Sequence, residues 1–225
     1  MKRSIKTLLA ALVVSLCLAT PGLTGPYEDG VAMVNGVSAY QRGDYATALR
    51  LWLPLAEQGD AKAQNNLGII YDKGLGVSPD YDEAAKWFRR AALQGSAIAQ
   101  SNLGIMYENG RGVPQDYSQA ITWFLRAADR GVLLAQFNMG LSYEQGHGVT
   151  QQLDKAVQWY RKAATQGHAK AQNNLGLAYE NGRGIAQDKQ QAVLWYRKAA
   201  EQGLAEAQSN LARVRSDTRG QTHRP

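Results

Sequence analysis

Apolar side chains return at three- and four-residue intervals from residue 61 onward. Ala63, Leu67, Ile70 and Tyr71 fall at i, i+4, i+7 and i+8, a spacing that lays one apolar stripe along a helix. The phrase carrying that stripe, Ala63-Gln64-Asn65-Asn66-Leu67-Gly68, recurs at 99–104, 135–140 and 171–176, and at 207–212 with Ala212 in place of glycine. Each copy begins 36 residues after the last. A second stripe follows each full copy: Ala84, Trp87, Phe88 and Ala91, then Ala120, Trp123, Phe124 and Ala127, then the stretches around Trp159 and Trp195. Two helices per unit, neither able to bury its stripe alone, predict stacked antiparallel hairpins in an all-α solenoid.

The residues between the stripes agree with that reading. Gly68, Gly104, Gly140 and Gly176 stand inside the first helices, where glycine costs roughly 1 kcal/mol against alanine. A cost met in every unit implies a neighbouring helix that crosses too closely for a side chain. The loops Gly74-Leu75-Gly76, Gly110-Arg111-Gly112, Gly146-His147-Gly148 and Gly182-Arg183-Gly184 place a helix-ending glycine first. Asp80, Asp116 and Asp188 then occupy N-cap positions, with Gln152 replacing the carboxylate once.

Residues 26–60 read as an opening hairpin that caps the array: 26–36 is a polar, glycine-containing lead, Val37–Gln41 ends one helix and Tyr45–Gln58 forms the next. If Tyr40 is the counterpart of Tyr71, its turn is five residues shorter than the others. Full units cover 61–212 together with a closing helix from about Ala205, and 213–225 reads as a basic, disordered tail.

Charge changes the picture little. The formal charge is +6 over 225 residues, but Lys2, Arg3 and Lys6 lie at the start, and Arg213, Arg215, Arg219 and Arg224 at the end. The repeats are near neutral, which disfavours nucleic acid as a partner. Residues 1–25 have the form of an export signal: a basic start, an apolar run from Leu8 to Ala19, then Pro21 and Gly22. The run is too short for a membrane span. Cleavage after Ala19, the preferred site, or near Gly25 leaves a mature chain without cysteine, stable by packing alone. The lipoprotein alternative, acylation at Cys17, is disfavoured by the bulk of Leu16.

The pattern A-x-A-Q-x-N-L-G-x-x-Y-x-x-G-x-G-V, followed by Asp, Ala, Trp-Phe or Trp-Tyr, Ala-Ala and Gly, resembles the Sel-one-like repeat (SLR), a relative of the tetratricopeptide repeat. The likeness spans about 61–212, and the opening hairpin looks closer to an ordinary tetratricopeptide. It implies a right-handed superhelix with first helices lining a concave face. It also implies an adaptor role; exported bacterial members are associated with envelope assembly, signalling and host contact.

No catalytic constellation stands out. His147, His168 and His223 lie in a loop, a helix start and the tail without metal-ligand spacing, so neither a metal nor another cofactor is expected. The G-x-G loops lack a third glycine and a preceding strand, and no G-x-S-x-G or S-x-x-K occurs after the leader. Binding features are more informative. If first helices line a groove, their outward columns are Lys62, Ile98, Leu134, Lys170; Asn65, Ser101, Phe137, Asn173; and Ile69, Ile105, Leu141, Leu177. Leu134, Phe137 and Leu141, beside Ile105, form a candidate apolar hot spot for a partner segment; the plainer reading packs them into adjoining helices.

Asp72, Glu108, Glu144 and Glu180 make an acidic column at the ends of first helices, where negative charge asks for compensation. Glu108 and Glu144 are the candidates for a cationic partner; the plainer reading pairs the column with Arg89, Arg90, Arg161 and Lys198 of second helices. The asparagines 66, 102, 138, 174 and 210 suit structural hydrogen bonds. These features favour a monomeric periplasmic adaptor that is not an enzyme and binds a protein segment. The alternative is an envelope enzyme or enzyme inhibitor directed at peptidoglycan or a related glycan. Repetition of one acid in every unit argues against the alternative, since catalysis needs an asymmetric site.

Overall fold

The computed structural model describes the backbone of residues 26–221 and the surroundings of side chains 28–216. Among these residues are helices and turns and no strand. The order is α1 (Pro26–Gln41), α2 (Tyr45–Glu57), α3 (Ala61–Lys73), α4 (Tyr81–Leu93), α5 (Ala97–Asn109), α6 (Tyr117–Asp129), α7 (Leu133–Gln145), α8 (Leu153–Thr165), α9 (Ala169–Asn181), α10 (Lys189–Glu201) and α11 (Ala205–Gln221). The proposed leader lies outside the described residues.

Each helix packs on the one before and the one after it, so the core is a row of clusters rather than a single mass. The alanines of the second helices let those helices approach: Ala84, Ala91, Ala120 and Ala127 are fully or almost fully buried. The interior glycines meet the aromatic ring of the partner helix, as the repeated cost implied. A Cβ built on Gly104 would lie 2.6 Å from the Phe124 ring, and one on Gly140 would lie 2.4 Å from Tyr160. The caps are also as read. Gly74 ends α3 in the left-handed conformation, and the Asp80 carboxylate accepts the Glu83 N–H at 2.9 Å. Gln152, the one non-acidic substitute, makes no side-chain cap bond.

A glutamine relay ties successive hairpins together. Gln64, Gln100, Gln136 and Gln172 donate across the turn to the carbonyls of Ala56, Ala92, Ala128 and Ala164 at 2.9, 3.1, 3.2 and 3.0 Å. Gln94, Gln166 and Gln202 donate to the free oxygens of Gln64, Gln136 and Gln172. Arg130 stands where a glutamine would serve Gln100 and turns instead to the Gly95 carbonyl. The Gln100 Oε1 atom is thereby left buried with no hydrogen-bond donor among the described residues.

Both ends correct the sequence reading. Residues 26–36 are not a lead into a helix but part of α1, because Gly36 acts as the other interior glycines do: its missing Cβ would collide with Trp52. The Asp44 N–H bonds the Ala39 carbonyl at 2.9 Å, just as Asp80 bonds Tyr71 at 3.0 Å. Ala39, not Tyr40, is thus the counterpart of Tyr71, and the first turn is shorter by four residues, five against nine. At the other end, residues 213–221 are helical rather than disordered. Val214 falls one turn beyond Leu211 on the packed face and is buried with Ala192 and Tyr196, which anchors the helix past the last repeat phrase.

Candidate functional site: the first-helix face

The first helices lie side by side. Asn102 donates to the Asn65 side-chain oxygen at 3.1 Å, and Asn210 to that of Asn173 at 2.9 Å. Asn102 and Asn210, two of the five asparagines of that ladder, thus make structural hydrogen bonds as expected. Between them, Ser101 and Phe137 replace the asparagine acceptor and interrupt the series.

Of the predicted hot spot, Leu134 is 40% exposed but Phe137 only 8%. The Phe137 ring stacks on His168 at 4.8 Å between centroids and tilts against Tyr160 at 5.9 Å. That column holds Asn65, Ser101 and Asn173, all buried, because it faces the adjoining helix and not solvent. Leu141 and Ile105 are half-buried, each packed against a core cluster. The exposed apolar pair is therefore Ile98, 59% exposed, and Leu134 in the next repeat. Lys62 and Lys170 flank the pair in the same column, and the column was visible in the sequence although its exposure was not.

Three of the four acids of the column are paired, but not with the second-helix cations. Asp72 meets Arg111 at 2.6 Å, Glu144 meets Arg183 at 3.4 Å and Glu180 meets Arg213 at 2.5 Å. The first two arginines are the middle residues of the next repeat's glycine loop; the third comes from α11. Arg89 and Arg161 instead bond the hydroxyls of Tyr107 and Tyr179 at 2.6 and 3.0 Å. Arg90 and Lys198 lie over Trp87 and Trp195 of their own helices. A stacked tryptophan and an opposed tyrosine occupy the cations the sequence reading assigned to the carboxylates.

Two carboxylates have a further partner. Tyr160 donates to Glu144 and Tyr196 to Glu180, each at 2.6 Å. Burial first, and the adjacent carboxylate second, hold both phenols far above their ordinary range. The Arg213 hydrogen bond leads the effects that lower Glu180. Glu108 differs from its neighbours. The ring beneath it belongs to Phe124, which has no hydroxyl, and the loop residue is His147 rather than arginine. His147 stacks on Tyr117 at 4.4 Å. Among the described residues the Glu108 side chain makes no hydrogen bond and no ion pair, and burial raises its pKa while His147 offsets part of the rise.

The Glu144 rung closes over a cavity of about 110 Å³ lined by Tyr160, Asn174, Arg183 and apolar side chains. That space suits a few water molecules and falls well below the usual ligand pocket of about 300 Å³ or more. A shallower depression of about 640 Å³ lies at α1, α2 and α3. Its Asp60 is committed to the Ala63 N–H as an N-cap at 2.7 Å. No group of three metal-ligating side chains occurs among the described residues. No helix among them is long and apolar enough to cross a membrane.

The Sel1 repeat pattern, the short name of the SLR, matches residues 27–60, 61–96, 97–132, 133–168 and 169–204. The chain belongs to the Sel1-repeat family. The opening hairpin is counted as a repeat of that family alongside the four full units. A protective antigen of uropathogenic Escherichia coli with an SLR fold is 36% identical over 83% of this chain, with a TM-score of 0.76. The chain spans only 41% of that antigen's length. A Sel1 repeat protein from Oxalobacter formigenes matches at 36% identity and a TM-score of 0.76, covering 81% of this chain and 74% of its own. An immunity protein of Pseudomonas aeruginosa, 19% identical, covers 92% of this chain and 85% of its own at a TM-score of 0.56, which shows a common fold. A search of curated protein sequences found no match. Sel1-repeat proteins are generally protein-interaction scaffolds.

Proposed function

We propose that this Sel1-repeat chain is an exported, periplasmic adaptor that holds a segment of a partner protein on the first-helix face of residues 97–168. The exposed pair Ile98 and Leu134 carries the reading: two large apolar side chains in adjacent repeats, flanked in the same column by Lys62 and Lys170, are the usual kind of anchor for a partner side chain. The leader-like residues 1–25 support export. A glycan-directed enzyme or inhibitor is the weaker reading, because the Glu144 cavity of about 110 Å³ is small beside the usual ligand pocket and each neighbouring carboxylate but Glu108 is engaged by the chain's own cations.

The test places a photocrosslinking residue at position 98 or 134, and as a control at the exposed second-helix position 126, in the full chain in its native cell. A discrete partner captured from 98 and 134 but not from 126, and lost in Ile98→Ser plus Leu134→Ser, supports the reading. Equal capture from all three positions, or none from the first two, removes it. Fractionation of the tagged full chain checks export.

A further inference from the structure

We propose that Glu108 receives a cationic side chain of the bound partner segment, an arginine or lysine that completes the one rung of the acidic column the chain leaves open. The inference rests on the partner-binding reading and names the chemistry of that partner.

The chain itself shows what this position binds. In the three other rungs a guanidinium meets the carboxylate, at 2.6, 3.4 and 2.5 Å, and in the first it also lies over the Tyr81 ring at 4.3 Å. In the Glu108 rung, Tyr117 takes the place of Tyr81, and the imidazole of His147 lies on it. That side chain is shorter than arginine and reaches no bonding distance of the carboxylate. The tyrosine hydroxyl that supports Glu144 and Glu180 is also missing, because Phe124 stands beneath. A partly buried carboxylate without a donor lacks the compensation its three counterparts have. An external guanidinium or ammonium would restore the rung with a charge-assisted bond.

The apolar pair fixes the rest of the occupant. Ile98 precedes Glu108 by ten residues on the same helix, or about 15 Å along its axis. An extended chain covers that distance in about four or five residues. An occupant that lies extended along the helix would therefore carry an apolar side chain at one end and a basic one about four or five residues away.

The experiment follows the side-chain carboxyl carbons of ¹³C-glutamate-labelled full chain by NMR during titration with Nα-acetyl-arginine methylamide, and separately with its neutral citrulline analogue. The Glu108 resonance is expected to shift saturably with the arginine compound, several-fold more than Glu144 or Glu180, and not with citrulline. His147→Arg is expected to abolish the Glu108 response by closing the rung from within. No Glu108 response, an equal response at all three glutamates, or an undiminished response in His147→Arg overturns the inference. Crosslinking at 98 and 134 without a Glu108 response removes this inference alone. A Glu108 response without crosslinking removes the adaptor reading and with it the partner segment, leaving Glu108 only a site for a free cation.

Discussion

Tyr160 donates its hydroxyl hydrogen bond to Glu144 across 2.6 Å, joining the middle of a second helix to the end of its own first helix. The same position is phenylalanine in the two preceding repeats, where the ring covers its glycine without a hydroxyl. Tyr160→Phe should therefore keep the packing and lose one bond to a half-exposed carboxylate that retains Arg183. The expected loss is about 1 kcal/mol, read as a fall in Tm of about 2–4 °C.

Gly104 and Gly30 give opposite outcomes for one substitution. Gly104→Ala drives a methyl into the Phe124 ring and should destabilise by about 1–3 kcal/mol. Gly30 lies in α1 with nothing within 4 Å of its would-be Cβ, so Gly30→Ala should stabilise by roughly 0.5–1 kcal/mol. Urea denaturation of the two variants compares them directly.

Exposure separates Leu134 from Phe137. Leu134→Ser should change stability by no more than about 0.5 kcal/mol, while Phe137→Ala should cost about 3–5 kcal/mol by emptying the space between Tyr160 and His168. Similar values for the two in chemical denaturation would contradict the placement of Phe137 in the core.

His168 makes stability depend on pH. Its Nδ1 accepts the Ala171 N–H at 3.2 Å, and burial, followed by Lys170, lowers its pKa from 6.5. The folded state therefore disfavours the proton that the unfolded state accepts. The contribution is fully present above pH 6.5 and is lost as pH falls through the lower folded value. His168→Ser keeps a capping oxygen, as Ser96 provides for Ala99, and removes the titration. Between pH 7 and pH 5 the Tm of the native chain should fall more than that of the variant.

Hairpins, caps and glycine crossings were legible because each is local and repeats at a fixed period. What the period could not convey was which side of a helix meets another unit. Phe137 reads as a surface aromatic until Asn102 and Asn65 are seen to bond across that seam. The partners of the acidic column were hidden for the same reason, since Asp72 and Arg111 are 39 residues apart and belong to different hairpins. Val214 was readable, seven residues after Ala207 as Ile70 follows Ala63, but the arginines around it suggested a tail. The open rung at Glu108 needed three positions aligned at once: glutamate kept, tyrosine absent, arginine replaced by His147.

The closing arginine sets how such an array can change length. Glu180 is covered by Arg213, a helix side chain 33 residues on, where the earlier acids wait 39 residues for a loop arginine. A hairpin duplicated upstream of α11 brings its own acid and its own loop cation, and so joins the stack without altering the terminus. One added after α11 would find Glu180 already taken by Arg213. Growth by unit duplication, whether in evolution or on an engineer's bench, is thereby easiest in the interior of the series, where it leaves the Arg213–Glu180 pair untouched.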